Sequence, residues 1–298
     1  MKINWKLFIL PLSFVIFLFS GCTPSEQPDN LPTITEAPTD TTIIPTLQPT
    51  QEIVANPTFP IPTEENPGPK IPEYKLKVDF DYSIQTAQIS EQIIYTNNSV
   101  LDLDTIILAC DPLRYPGSFS LINIQVNGVD QSDVTIGNYF LEFKLSENLA
   151  PGNKVDLQID YELQVPPLPP PADDRKPGIF GYSTVQTNFV DWYPFIPPLT
   201  SNGEWLLHEP WFYGEYLVYD LANFQVEIDM VKTPLNTSIA ASTNPVNQND
   251  NNYQFISTSA RNFAWSLSPS YLIETKTVND ITVTSYTFPF HQQAGLHV

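Results

Sequence analysis

Cysteine, histidine and basic residues are all scarce in this chain. Of 298 residues only 2 are Cys and 3 are His, and 13 Lys or Arg face 33 Asp or Glu. Each shortage excludes something. If Cys22 is used near the N-terminus, Cys110 stands alone, and one cysteine makes no intrachain disulfide framework. A net charge of −20 repels nucleic-acid phosphates and anionic lipid, so no nucleic-acid partner is expected. The functional counterpart of this acidic coat is attraction of cationic peptides; otherwise it simply keeps the protein soluble. Eleven glycines contain no phosphate-cradling loop. The one long apolar run, Leu7 to Phe19, is too short for a comfortable membrane span and has the length of a signal-peptide core.

That run defines the first segment, residues 1–21, as a signal peptide. Lys2 and Lys6 supply its positive start, and it ends Leu18-Phe19-Ser20-Gly21-Cys22. Small residues before a cysteine look like a bacterial lipobox, although Phe19 stands where Leu is usual. The expectation is cleavage before Cys22 and lipid attachment there. The membrane partner is then an acyl anchor, in which each buried CH₂ contributes about 0.8 kcal/mol. The alternative is an uncleaved N-terminal helix with an incidental Cys. Either way the rest of the chain is extracytoplasmic. With the leader gone, eleven basic residues face thirty-three acids, a formal charge of about −22.

Residues 22–72 are expected to be a disordered tether. From Thr23 to Pro72 there are 12 Pro and 10 Thr, with Phe59 the one aromatic and Lys70 the one basic residue. Such a stretch cannot bury enough apolar surface to offset chain entropy. Half extended, it would hold a domain about 50–100 Å from the membrane. Its Thr/Pro density also suits O-glycosylation.

Residues 73–290 change character. Tyr74, Leu76, Val78, Phe80, Tyr82 and Ile84 alternate with polar residues, the period-two signature of a half-buried strand. Further runs follow at Ile89–Tyr95, Leu101–Ala109, Val155–Leu163 and Phe224–Met230. Asn127-Gly128, Gly137-Asn138, Pro151-Gly152 and Asn279-Asp280 mark tight turns between such runs. Asn247–Asn252 is read as a loop, and Pro166–Pro171, five prolines in six residues, as a surface loop. No segment carries a 3.6-residue apolar repeat. The predicted fold class is all-β, an antiparallel β-sandwich or saddle-shaped sheet. Residues 291–298, His291 to Val298, are largely polar and small.

Nucleophiles and metal ligands at working spacing are missing. His208-Glu209 begins like a zinc signature, but Pro210 follows and the fifth position is Phe212. A zinc hydrolase needs two His one helical turn apart with a carboxylate and an open site for water. His291 and His297 are six apart, wrong for one helix face. Gly181-Tyr-Ser183-Thr-Val185 lacks the second Gly of a nucleophile elbow. Cys110 ends the apolar run Ile106–Ala109 and reads as a buried, inert thiol. No carboxylate pair among the 33 acids is singled out for glycoside hydrolysis.

The stretch that organises the chain is Gly181–Met230, with Trp192, Trp205 and Trp211 inside it. Three segments carry a resemblance: Asn188-Phe-Val-Asp-Trp-Tyr-Pro-Phe-Ile-Pro-Pro198, Glu215-Tyr-Leu-Val-Tyr-Asp-Leu-Ala-Asn-Phe-Gln-Val-Glu-Ile228, and Ala260-Arg-Asn-Phe-Ala-Trp-Ser-Leu-Ser268. Their order resembles the N-terminal domain of M1-family zinc aminopeptidases, in a divergent bacterial branch, over roughly Tyr74 to Gly295. The family's Gly-x-Met-Glu-Asn and His-Glu-x-x-His motifs are absent from this chain. The resemblance therefore implies a non-catalytic, substrate-side scaffold, with residues 291–298 as the truncated start of a following domain, no cofactor on this chain and zinc only in a catalytic domain that follows or is supplied separately. It also implies a rim for a peptide substrate at Gln186, Asn188, Trp192 and Tyr193, the two aromatics being equally suited to core packing. The competing reading is a cell-surface glycan- or protein-binding β module. That reading requires Trp192, Trp205 and Trp211 to face solvent in a row.

Overall fold

The computed structural model describes residues 70–169, 178–211 and 216–295. The leader, Cys22 and all of the tether up to residue 69 lie outside the described residues. So do His297 and the last two residues of the proline loop, Pro170 and Pro171.

The described residues form seventeen strands. The first eight are β1 (Glu73–Asp81), β2 (Thr86–Thr96), β3 (Leu103–Ala109), β4 (Phe119–Val126), β5 (Val129–Asp130), β6 (Val134–Ile136), β7 (Phe140–Leu149) and β8 (Lys154–Gln164). The middle of the chain gives β9 (Gly181–Tyr182), β10 (Thr187–Phe189) and β11 (Ala222–Val231). The last part gives β12 (Ser238–Ala241), β13 (Asn247–Asn249), β14 (Asn252–Ala260), β15 (Trp265–Ser268), β16 (Leu272–Val278) and β17 (Ile281–Thr287). Among the described residues helix is confined to short turns at Asp111–Arg114 and Pro289–His291 and to Gln292–Gly295.

Eight strands make the main sheet, in the order β13-β14-β11-β1-β2-β8-β4-β5. Its inner face is the period-two set read from the sequence. Tyr74, Leu76, Val78 and Phe80 of β1 stand beside Ile89 and Ile93 of β2, and Leu157, Ile159 and Tyr161 of β8 follow, all buried. Two smaller sheets, β3-β7-β6 and β12-β15-β10-β9, cover that face. Phe80 meets Phe189 edge-on at 5.3 Å and Trp265 at 6.1 Å, so the layers interlock through aromatic rings. Each such side chain contributes roughly 1.5–3 kcal/mol by leaving water. The result is the expected all-β sandwich, with the outer face of the main sheet polar and open to solvent.

The structure departs from the sequence expectations at three places. β1 and β11 pair in parallel, Tyr74 against Phe224 and Val78 against Ile228, so the main sheet is not wholly antiparallel. The long connection between them supplies the crossover that parallel pairing needs, and identical alternation on both strands hides the direction of pairing. β1 also stops at Asp81 instead of running to Ile84. Asp81 Oδ1 accepts the Ser83 N–H at 3.0 Å, Gln85 takes φ 55°, and Ile84 is left 59% exposed. Finally, Asn247–Asn252 is not a plain loop: Asn247–Asn249 pairs with β14 as an edge strand, turning at Asp250 with φ 41°.

The predicted turns form. Asn127 and Gly128 have φ 50° and 78° between β4 and β5. Asn279 and Asp280 have φ 48° and 64° between β16 and β17. Both residues of each pair are left-handed, the geometry whose twist matches two antiparallel strands.

Candidate functional site

Gln186 and Asn188 sit on β10 and the turn before it. Ser183 Oγ accepts the N–H groups of Val185 and Gln186 at 3.2 and 3.1 Å, and Ser183 N–H donates to Gln186 O at 2.8 Å. The turn is tied down from outside as well, because Ser268 Oγ donates to Val185 O at 2.6 Å. Backbone bonds thus fix the turn while the Gln186 side chain stays half-buried at its surface. Asn188 pairs with Ser266 across β15 and is also half-buried. Phe189 and Thr187, on the other face of the same strand, are buried, so alternation turns Asn188 away from the core.

Trp192 and Tyr193 do not belong to an accessible rim. Both are buried, at 0% and 1% exposure. Trp192 Nε1 donates to Phe263 O at 2.9 Å, and the Phe263 N–H donates to Tyr193 Oη at 3.4 Å. The two rings therefore fasten the 188–198 segment to the segment that enters β15. Tyr74 joins them: its hydroxyl accepts the Ile196 N–H at 3.1 Å and its ring meets Tyr193 edge-on at 5.9 Å. Two tethered aromatics in a core cannot stack on a ligand, which leaves Gln186 and Asn188 as the reachable members of the predicted set. Nor do the tryptophans make a solvent-facing row. Trp205 is half-buried against Tyr95 at 6.1 Å, and Trp211 alone is largely exposed, at 64%.

Behind this region lies a buried polar group that the sequence reading missed. Glu91 is on the inner face of β2, between the buried residues Ile89 and Ile93. Tyr161 donates its hydroxyl to Glu91 Oε2 at 3.0 Å, while Glu91 Oε1 has no partner. Burial pushes the Glu91 carboxyl well above the usual carboxylate range, against the smaller opposing effect of the Tyr161 hydrogen bond. Burial, with Glu91 close by, also raises the Tyr161 hydroxyl. The signal was present, since the alternation Ala87, Ile89, Glu91, Ile93 puts a carboxyl on the inner face.

Two further carboxylates, one half-buried and one buried, are held by tyrosines. Asp191 takes φ 54°, and its Oδ1 accepts the Tyr219 hydroxyl at 2.5 Å and the Asn262 amide at 3.5 Å. Burial first, and Asp191 second, hold the Tyr219 hydroxyl protonated far above its ordinary range. Asp111, buried, bonds Arg114 at 3.0 Å and also accepts the Tyr216 hydroxyl. The Asp191 contacts join all three resembling segments, because Asp191, Tyr219 and Asn262 belong one to each.

No nucleophile or metal centre is built from these parts. Cys110 sits just past β3, fully buried, and burial raises its thiol well above the ordinary value. The Cys110 N–H donates to Tyr139 O at 2.8 Å, so the residue has a structural place. His208 and Glu209 are exposed in the loop after Trp205, and His291 is exposed near the end of the chain. Among the described residues no three His, Cys, Asp or Glu side chains gather as a metal site would require.

No protein-family model and no curated protein matches the chain. Among solved structures it is similar to an M1 zinc metallopeptidase from Deinococcus radiodurans, at 16% identity over 73% of this chain and 47% of that one, with a TM-score of 0.44. A variant of that enzyme bound to a Tyr-Ser-Ala substrate gives 15% identity, the same coverage and a TM-score of 0.46. A two-domain M1 zinc metallopeptidase variant bound to L-arginine gives 16% identity, 76% and 51% coverage and a TM-score of 0.46. The chain spans about half the length of the solved structures it matches.

Proposed function

We propose that this chain is the substrate-side scaffold domain of an M1 aminopeptidase-like surface lipoprotein, itself non-catalytic and held outside the cytoplasm by lipid on Cys22. The observation that carries the reading is the packing of the three resembling segments on one another. Phe189 and Trp192 of the first lie against Trp265 and Phe263 of the third, and β11 of the second pairs with β14, which leads into the third. Residues scattered over eighty positions converge as one unit, so the shared pattern serves the fold. The described donors do not fit zinc, so no hydrolytic step is assigned to this chain's own residues. In this reading Gln186 and Asn188 are its contribution to peptide binding, presenting amide groups at the β9–β10 turn and the start of β10, along one rim of the β12-β15-β10-β9 sheet. The zinc, and the water it activates, belong to a catalytic domain carrying His-Glu-x-x-His.

The role of the rim is tested by joining the chain to such a catalytic domain. Gln186→Ala and Asn188→Ala are expected to raise KM for aminoacyl-arylamides several-fold, with zinc content and kcat unchanged. Substitutions that leave KM untouched contradict the assignment of this rim to the substrate.

A further inference from the structure

Most sheet edges in this fold are short or covered. Among the described residues β5, β6, β9, β12 and β13 are edge strands of two to four residues. β3 is longer but largely buried, and on its outer side Ala109 and Phe195 exchange backbone bonds at 2.8 and 2.9 Å. β17 is half-buried over its last four residues, where a Cβ on Gly295 would lie 2.7 Å from Thr287 Cγ2. β16 is the exception. It has seven residues, pairs with β17 alone among the described strands, and is exposed from Ile273 to Val278. A two-stranded ribbon is marginal by itself in water, and a free edge is a template for a further strand.

The hairpin fixes which backbone groups face outward. Asn279 and Asp280 are both left-handed, so the two-residue loop closes on Val278 and Ile281 as a hydrogen-bonded pair. Pairs alternate from there, and Leu272, Glu274 and Lys276 also turn their backbone groups to β17. Ile273, Thr275 and Thr277 turn theirs to the free side. A second copy of β16 can therefore add antiparallel about a twofold centred on one of these three. Centring on Thr277 sets Glu274 against Asp280 of the other copy, like against like. Centring on Ile273 sets Glu274 against Leu272. Centring on Thr275 sets Glu274 of each copy against Lys276 of the other, in the non-hydrogen-bonded positions where cross-strand side chains lie closest.

We propose that two copies of this chain pair through β16, antiparallel and centred on Thr275, into one continuous sheet. Each copy gives and takes the same strand, so the interface is isologous and closes. A charge on an edge strand ordinarily opposes further pairing, but the spacing Glu274-Thr-Lys276 turns both charges into cross pairs. The opposite face fits as well. Thr275 and Thr284 meet through their hydroxyls at 3.3 Å, and Thr277 and Thr282 at 3.0 Å. The Thr284–Thr275 row then runs straight on into its copy. At physiological salt the repulsion between two acidic chains is screened beyond about 8 Å, whereas the Glu274–Lys276 pairs act at contact. β16 belongs to a different sheet from the Gln186–Asn188 rim, so the pairing holds whether or not that rim binds peptide.

The test uses the full chain in a bacterial host, with Thr275→Cys as a probe for cross-linking under mild oxidation. Cys110 is buried, and the chain without the added thiol controls for Cys22. Thr275→Cys is expected to give a reducible dimer band. Thr282→Cys, also exposed but on β17 and far from its counterpart across the axis, should not. In the Thr275→Cys chain, Glu274→Lys alone or Lys276→Glu alone sets like charges opposite each other twice. Each should lower the cross-linked fraction at least about fivefold. Glu274→Lys together with Lys276→Glu should restore it, because the exchanged pair is again complementary. All these side chains are exposed, so β circular dichroism should be unchanged throughout. Absence of the Thr275→Cys cross-link overturns the proposal, as does an equal band from Thr282→Cys. Single exchanges without effect, or a double exchange that fails to restore the band, overturn it too.

Discussion

Phe189 lies flat on Trp265, ring centroids 3.9 Å apart and planes 4° from parallel. The two residues are seventy-six positions apart and join the first resembling segment to the third. Both are buried, so Phe189→Ala should cost about 3–5 kcal/mol by removing a large side chain and leaving a cavity. Urea unfolding followed by tryptophan fluorescence checks this. A loss under about 1 kcal/mol would mean that this stack does not hold the segments together.

The neighbouring tryptophans should respond differently to the same change. Trp192 Nε1 has a partner in Phe263 O, whereas the buried Trp265 Nε1 has none. Trp192→Phe leaves a buried carbonyl without its donor, a penalty of about 1–3 kcal/mol. Trp265→Phe removes an unsatisfied N–H and spares that penalty. Urea midpoints should therefore fall further for Trp192→Phe. Equal falls would contradict the pairing.

Two glycines separate backbone freedom from space. Gly128 has φ 78° and open surroundings, so Gly128→Ala should cost roughly 1–2 kcal/mol from the left-handed backbone alone. Gly181 has φ 147°, and an added Cβ would lie 2.7 Å from Pro166 O and 2.7 Å from Leu168 Cδ2. Gly181→Ala should cost clearly more, because a backbone oxygen must move. Thermal melting of the two variants orders them, and the reverse order would refute the crowding at the start of β9.

Stability should fall as pH rises across the acid range because of Glu91. Its folded-state carboxyl is held well above the ordinary value by burial. The native state keeps a proton that the unfolded chain releases above about pH 4.3. The unfolded state then binds fewer protons, so this group's contribution declines from about pH 4.3 upward until the folded carboxyl itself ionises. Glu91→Gln removes that dependence. The variant should match the native chain near pH 4 and be the more stable at pH 7, by more than about 1 kcal/mol. Parallel pH profiles would show that Glu91 is not buried as described.

Much of this fold could be read from alternation and turn residues. The inner faces of β1, β8 and β11 and both left-handed two-residue turns follow from period two and from Asn-Gly or Asn-Asp. The parallel pairing of β1 with β11 could not be read, because alternation fixes which face is buried and not which way a neighbour runs. The end of β1 was masked by Ile84, whose apolar side chain continues the pattern into a turn governed by Asp81 and Gln85. At the candidate site, a Trp-Tyr pair fits core and rim alike. Only the Trp192 bond to Phe263 O and full burial decide for the core. Glu91 was legible by position, but its meaning rests on Tyr161 of the neighbouring strand β8, which register alone supplies.

The lipid anchor is tested separately from the fold. In a bacterial host the chain should take up palmitate and fractionate with membranes, and Cys22→Ser should abolish the label. Labelling that survives the substitution would remove Cys22 as the attachment site.

The most direct measurement is zinc content and chelator-sensitive hydrolysis of aminoacyl-arylamides, for the chain by itself and joined to a His-Glu-x-x-His catalytic domain. Metal-bound water works at neutral pH because its pKa is lowered to about 7, and no such donor cluster exists among the described residues. The expected result is no stoichiometric zinc and no turnover for the chain alone, with both gained in the joined protein. Chelator-sensitive turnover by the chain alone would contradict the scaffold reading.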